Sequence, residues 1–398
     1  MAPDIQGPVN ENLPRRPSGR GRVLRSRVAE SVVSACIIGA LAIGAAVAAH
    51  ASSQRESAAV PSALPVSTAE ELRLGYFGNL THAPALVGLE TGIFEAELGT
   101  TRLSAQAFNA GPAAIEALNA GAIDAAFVGP NPAINSFVQS EGQSLRVVAG
   151  ATSGGVQLVV RSDIEKSSDL RGAHLATPQL GNTQDVALRT WLADNDLTFG
   201  GDASDVLITP TENALTLRLF SNGDIDGAWV PEPWATRLVL EAGGTVLVDE
   251  KDLWPGGKFP TTLLVVDTDY LKQHPAQVKA LLRGEMRSLE WLATTSEDPA
   301  DAGASAEVAQ VLNRGLESAQ ATPLPEAVMH RALDNLVFTQ DPLGGSLVQL
   351  LADGVAAGTA TDHDIRGILD LTLLDEVRAE QGLDPFPTAE LDAGERSP

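Results

Sequence analysis

GAIDAAFV (Gly121 to Val128) and GDIDGAWV (Gly223 to Val230) agree at five of eight positions, and each runs into a proline-containing loop, GPNPA (Gly129 to Ala133) or PEPWA (Pro231 to Ala235). Each carries a glycine where a helix would stop, an Ile-Asp pair, and then an apolar run of strand length. Gly-x-Ile-Asp alone is a common helix stop before a buried strand. The loops that follow are harder to dismiss, and two similar helix-strand-loop-helix units 102 positions apart imply two lobes of similar build.

Working outward, the same rhythm extends in both directions. Leu72–Phe77 and Thr101–Phe108 read as strands, with Ala83–Gly92 a helix whose Pro84 sits where a first turn tolerates it. Further strands are expected at Ile123–Val128, Ala173–Thr177 and Val206–Thr209. Helices are expected to end at Gly121, to open at Asn131, and to span Thr183–Asn195 and Asn213–Ser221. Strands alternating with helices imply an α/β fold with mostly parallel sheets covered on both faces. From about Asp269 the apolar spacing becomes helical, over Pro275–Leu292, Ala304–Leu316, Pro325–Val337, Leu343–Ala356 and Asp364–Arg378.

The first fifty residues read as an address. Arg15, Arg16, Arg20, Arg22, Arg25 and Arg27 precede the uncharged stretch Ser31–Ala49, which reaches Ala49-His50-Ala51, the order of a secretory signal. Three outcomes fit: cleavage near Ala51, retention as a membrane anchor, or lipidation at Cys36 in Val33-Ser34-Ala35-Cys36. The Ala- and Gly-rich stretch is weakly hydrophobic, which favours cleavage. The body is therefore expected outside the cytoplasm, in the periplasm or on the outer face of the cytoplasmic membrane, with residues 52–70 as a flexible tether.

Composition narrows the function classes. The chain has 398 residues, 27 Lys+Arg against 51 Asp+Glu, and a formal net charge of −24. Beyond residue 51 there are 21 basic against 48 acidic residues, a net charge of −27. Phosphate backbones need clustered cations, so nucleic-acid binding is disfavoured. The single Cys can build neither an internal disulfide nor a zinc or iron-sulfur cluster. No His pair has metal-ligand spacing, and neither a Gly-x-Ser-x-Gly elbow nor a phosphate loop occurs. No metal, cofactor or catalytic centre is expected.

Polar loops recur instead where strands end and helices begin: Gly78–His82, Gly129–Asn131, Thr152–Gly155, Gln179–Asp185 and Pro231–Trp234. In open α/β sheets ligands collect outside the carboxyl ends of strands. Helix N-termini there offer unpaired N–H groups and partial positive charge, enough to bind an anion without Lys or Arg. The competing reading is that Asn and Thr at each helix start cap their own backbone.

These loops also carry a resemblance. GYFGNLTHAPALVGLETGIF (Gly75 to Phe94), FVGPNPAINSFV (Phe127 to Val138), GATSGGVQLVVR (Gly150 to Arg161), ATPQLGNTQDVALRTWL (Ala176 to Leu192), WVPEPWATRLVLEAGG (Trp229 to Gly244) and DLWPGGKFPTT (Asp252 to Thr262) together resemble substrate-binding proteins of ABC importers. The aliphatic-sulfonate group, related to taurine- and nitrate-binding proteins, is the nearest. The resemblance covers about residues 70 to 378 and implies a two-lobed periplasmic-binding-protein fold of the second class, with the ligand cleft between the lobes. It places one lobe at 70–160 plus 260–345 and the other at 161–259. Crossings then fall near Val159–Ser162 and Gly257–Thr262, with a C-terminal helical extension and loose tail over 346–398.

By matching motif, Asn79, Thr81 and His82 would line the first-lobe wall, and Gly129 and Asn131 would lie beneath the ligand. Thr152, Ser153 and Gly154 would sit near the hinge, Asn182, Thr183 and Gln184 would meet the anionic head, and Glu232 and Trp234 would close the opposite wall. Gly78 departs from the family, whose members often have Pro there. The resemblance implies a monomeric, non-enzymatic receptor that carries a small organosulfonate, an alkanesulfonate, to an ABC permease and its ATPase. Nitrate, bicarbonate, taurine or a pyrimidine precursor are alternative ligands, and an enzyme on the same scaffold using His82 as its base is an alternative of another class.

Overall fold

Leu72, Leu74 and Tyr76 are buried in the first strand, and comparable short apolar runs build ten more strands in a computed structural model of the chain. The structure describes residues 70–386 apart from 201, 203 and 297–301, so the expected signal, Cys36 and nearly all of the tether lie outside the described residues. The strands are β1 (Glu71–Phe77), β2 (Arg102–Phe108), β3 (Ala125–Val128), β4 (Leu145–Gly154), β5 (Val156–Val160), β6 (His174–Thr177), β7 (Leu207–Pro210), β8 (Gly227–Pro231), β9 (Thr245–Asp249), β10 (Pro260–Asp267) and β11 (Leu336–Phe338). Around the first part of the chain lie helices α1 (Ala83–Glu90), α2 (Ile93–Leu98), α3 (Gly111–Asn119), α4 (Pro130–Gln139), α5 (Thr183–Asp194), α6 (Asn213–Asn222) and α7 (Trp234–Ala242). The remainder is α8 (Thr268–Gln273), α9 (Pro275–Ser296), α10 (Ala302–Ser318), α11 (Glu326–Leu333), α12 (Gly344–Ala356) and α13 (Thr372–Glu380).

Two sheets result, in the orders β11-β4-β10-β3-β1-β2 and β7-β6-β8-β5-β9. Setting the extra edge strand β11 aside, the two orders superpose, with β3 and β8 at the centre of their sheets. The echoed segments of the sequence are therefore equivalent strands, and the likeness extends to single atoms. Asp124 and Asp226 each use the carboxylate to accept a backbone N–H near the start of the neighbouring parallel strand, Arg73 N at 2.8 Å and His174 N at 2.7 Å. Each then pairs with an arginine, Asp124 with Arg73 and Asp226 with Arg161. Ile123 and Ile225, one residue earlier, are both buried. The Ile-Asp pair thus anchors one apolar and one polar contact in each lobe.

Both sheets are mixed rather than mostly parallel. β1 with β2 and β3, and β6 with β7 and β8, are parallel as the βα rhythm requires. The strands entering from the other half, β10 and β5, run antiparallel to their neighbours. Val159–Ser162 is not the first crossing: Val156–Val160 already pairs with β8 and β9, so the chain changes sheets at Gly154–Gly155. Both glycines have positive φ, 78° and 70°, a conformation costly for other residues. The return passes from Phe259, in the second core, to Pro260 in β10.

Residues 346–380 complete the first lobe instead of extending it. Leu347, Leu350 and Leu351 of α12 share a core with Ile134 and Phe137, while Leu374 and Val377 of α13 join the core around Leu281. Each such leucine contributes about 1.5–3 kcal/mol by leaving water. The expected helix Pro325–Val337 stops at Leu333, because Leu336–Phe338 adds an edge strand to β4. Val337 points outward there and is 62% exposed. Similarly, Asp364–Leu371 is not helical; Leu369 bridges to Val147 beside the sheet.

Candidate functional site

Between the sheets, at the carboxyl ends of β1, β2, β3, β6, β7 and β8, lies a cavity of about 30 Å3. One lobe supplies Phe77, Asn79, Thr81, His82, Asn109, Ala110, Gly111, Gly129, Pro132 and Thr261. The other supplies Pro178, Asn182, Thr183, Gln184, Asn213 and Pro231. None of these carries a formal charge at neutral pH. The walls are instead the starts of α1, α3, α4, α5 and α6.

Only one of those five starts is capped by its own side chain. Asn182 Oδ1 accepts Asp185 N at 2.9 Å, whereas the residues before α1, α3, α4 and α6 make no side-chain cap. Pro84, Pro112, Pro130 and Pro132 carry no N–H and Ala83 N–H donates to Leu80 O, but the first-turn N–H groups that remain have no partner within the helix, and the helix dipole adds positive potential at the same place. Two polar atoms of the lining are also buried without a hydrogen-bond partner, Thr183 Oγ1 and Asn213 Oδ1. Gly129 is required by the closeness of the walls, since a Cβ there would stand 2.6 Å from Thr183 Oγ1 of the opposite lobe. Two hydrogen bonds span the lobes at the rim: Trp234 Nε1 donates to Asn79 Oδ1 at 2.8 Å, and Asn109 Nδ2 to Glu212 Oε1 at 2.6 Å.

His82 is the titratable residue of the lining. Its ring lies 4.3 Å from that of Phe77, and Nδ1 accepts Phe77 N–H at 3.4 Å, which leaves the proton on Nε2. Full burial pushes its pKa down to about 3, so at neutral pH it offers a neutral N–H donor. A base that weak is poorly matched to proton abstraction near pH 7, and no carboxylate in the lining orients it.

The remaining expected site residues do not line the cavity. Asn131 Nδ2 donates to Leu350 O at 2.9 Å, tying α4 to α12. Thr152 is buried in β4, Ser153 Oγ accepts Phe259 N at 3.3 Å, and Gly154 O accepts Thr261 Oγ1 at 2.6 Å, so this stretch braces the crossings. Glu232 is fully buried but turned to structure: it accepts Thr236 N at 3.0 Å, Thr236 Oγ1 at 2.9 Å and Asn335 Nδ2 at 2.7 Å, with Arg331 at 3.6 Å. Burial pushes its carboxyl up while those donors pull it down. Trp234 reaches the rim only through Asn79. Asn109, Asn213 and Thr261 were not expected; the first two follow strand ends and open helices, a signal the sequence did contain.

Among the described residues no group of three or more His, Cys, Asp or Glu could hold a metal ion, and no helix is long and apolar enough to cross a membrane.

Two mixed α/β sheets with a cavity at the strand ends are the fold of periplasmic binding proteins. The periplasmic nitrate-binding protein NrtA from Synechocystis PCC 6803 aligns with a TM-score of 0.62 at 15% identity, over 82% of this chain and 91% of that one. Residues 67–313 match the model of the NMT1-like family, and the chain belongs to that family. It is 32% identical over 122 residues to the nitrate/nitrite binding protein NrtA of Synechococcus elongatus, a match covering 30% of this chain and 25% of that protein. It is 29% identical over 197 residues to an Escherichia coli (strain K12) chain that bears the name of an aliphatic sulfonates-binding protein, covering 48% of this chain and 59% of that one. The chain thus spans less than two thirds of the length of these curated relatives.

Proposed function

We propose that the chain is the extracytoplasmic receptor of an ABC importer and that the cleft binds a small oxyanion, delivering it to a permease driven by an ATPase. The observation that carries this is a neutral cavity walled by helix starts, four of five without a side-chain cap. Such a cage suits a compact anion with several acceptor oxygens, because fixed N–H groups replace its hydration without adding countercharge. The names of the relatives, for nitrate and for aliphatic sulfonates, support an oxyanion. Binding would hold the lobes together, since both contribute to the cage.

The preferred ligand is the sulfonate head of a short alkanesulfonate, its alkyl group lying along Phe77, Pro178 and Pro231. Asn79, Thr81, His82, Asn182, Thr183, Gln184 and the backbone of Gly129 then hold the head, with Asn109, Asn213 and Thr261 completing the cage. A second reading, nitrate, is favoured by the cavity volume: about 30 Å3 is room for only a few water-sized groups. Titration calorimetry with nitrate and with methane-, ethane- and butanesulfonate separates the two. Tightening with chain length supports the sulfonate; binding of nitrate alone supports the second reading; and heat from neither class removes the oxyanion proposal.

A further inference from the structure

A second cavity, of about 750 Å3, shares no lining residue with the cleft. It lies between the later turns of α5, segment 250–258 and the start of α12. Its volume falls in the range of about 300–1,000 Å3 in which small-molecule sites are found. Trp191 and Trp254 contribute two indoles to the lining, and Leu253, Leu343 and Leu350 add aliphatic surface.

The charges lining it are unbalanced: Asp194, Glu250, Asp341 and Asp353 against Lys258. Among the described residues none of the four carboxylates makes an ion pair. Glu250 is 1% exposed, Oε2 accepts Trp229 Nε1 at 2.7 Å, and the carboxylate also accepts from the Trp254 side chain, so its partners are neutral donors. Burial pushes this carboxyl up to about 7. Asp353 is raised too, by burial first, with Gln349 opposing and the charge of Asp194 adding. Thr190 Oγ1 is buried with no hydrogen-bond partner. One buried acid and three that are more exposed, all without an ion-pair partner, beside aromatic faces and a hydroxyl with no hydrogen-bond partner, suit an incoming cation with an apolar body.

We infer that this cavity is a second ligand site, for an organic primary ammonium carrying an aliphatic or aromatic group. The ammonium meets Glu250 and Thr190 while the body packs on Trp191 and Trp254. Because α5 belongs to the second lobe and α12 to the first, the occupant also bridges the lobes.

The test is calorimetry of the full chain with phenethylammonium and hexylammonium, 1-hexanol as the uncharged control, and the cleft's oxyanion titrated separately into every variant. Both ammonium probes should bind the wild type and 1-hexanol should not. Glu250→Gln should weaken them by about tenfold to a hundredfold, the worth of a charge-assisted hydrogen bond, with oxyanion binding unchanged. Gln349→Trp, an exposed position that fills the mouth, should abolish them without touching the buried acid. Failure of the wild type to bind either probe at millimolar concentration, or equal binding by both variants, overturns the site. Neither result bears on the cleft, whose own titrations report on it.

Discussion

Gly129–Ala133 and Pro231–Ala235 follow equivalent central strands and open equivalent helices, yet they serve opposite ends. After β3, Gly129 brings no side chain, so α4 begins uncapped against the cavity. After β8, Glu232 folds its carboxylate onto Thr236 at the start of α7 and ties it to Asn335 and Arg331. A helix start at a strand end is thus an anion site only where its N–H groups are left without an internal acceptor. The first-lobe loop is left available for ligand, and the second-lobe loop holds the fold.

That contrast can be broken from both sides. Gly129→Leu should have the largest effect on binding, because its side chain would enter the space shared with Thr183; we expect about a hundredfold or greater loss of oxyanion affinity by calorimetry, with little loss of stability. Glu232→Ala should do the reverse. Leaving Asn335 and Thr236 without their acceptor, it should lower unfolding free energy by about 2–4 kcal/mol in urea titration, while the folded fraction keeps affinity within about threefold. If Glu232→Ala abolished binding without destabilising the fold, the two loops would share a role.

Finer changes sharpen the comparison. Thr183→Val removes a hydroxyl that has no internal partner, so affinity should fall about tenfold and stability should hold. Asn182→Ala should also cost about 1 kcal/mol of stability, since it caps α5. The smallest expected effect is that of pH. With the pKa of His82 held down to about 3 by burial, the ring stays neutral and oxyanion affinity should be flat from pH 8 to pH 5. Affinity rising steadily as pH falls would mean a protonated His82 supplies charge. For stability the sign is opposite to that of a histidine gaining an anionic partner. The unfolded chain takes up the proton first, near the ordinary value of about 6.5, so the His82 contribution is intact above that pH and declines as pH falls towards 3.

The strand-helix rhythm was legible because apolar runs and helix stops are local, and the echo was legible because Ile123-Asp124 and Ile225-Asp226 do the same work in each sheet. Direction was not. Whether β5 and β10 run parallel or antiparallel depends on where the chain changes sheets, and the Gly154-Gly155 pair that marks the place reads, in sequence alone, as part of a polar loop. The helix expected from Pro325 ends sooner than its pattern, because nothing local distinguishes Leu336–Phe338 from a helical turn; the free edge of β4 makes it a strand. In the cleft, the loops were found by the strand-end rule, but Glu232, Thr152 and Asn131 could be separated from the lining only by seeing which partners they meet. Asn109 and Asn213 lay within reach of the same rule.

The most direct test of the central claim is a crystal structure of the protein with methanesulfonate or nitrate bound. The account predicts the anion between the lobes, its oxygens within hydrogen-bond distance of backbone N–H groups at the starts of α1, α3 and α4 and of Thr183 Oγ1, with no Lys or Arg in contact. An anion held by basic side chains elsewhere, with the cleft unoccupied, would contradict it.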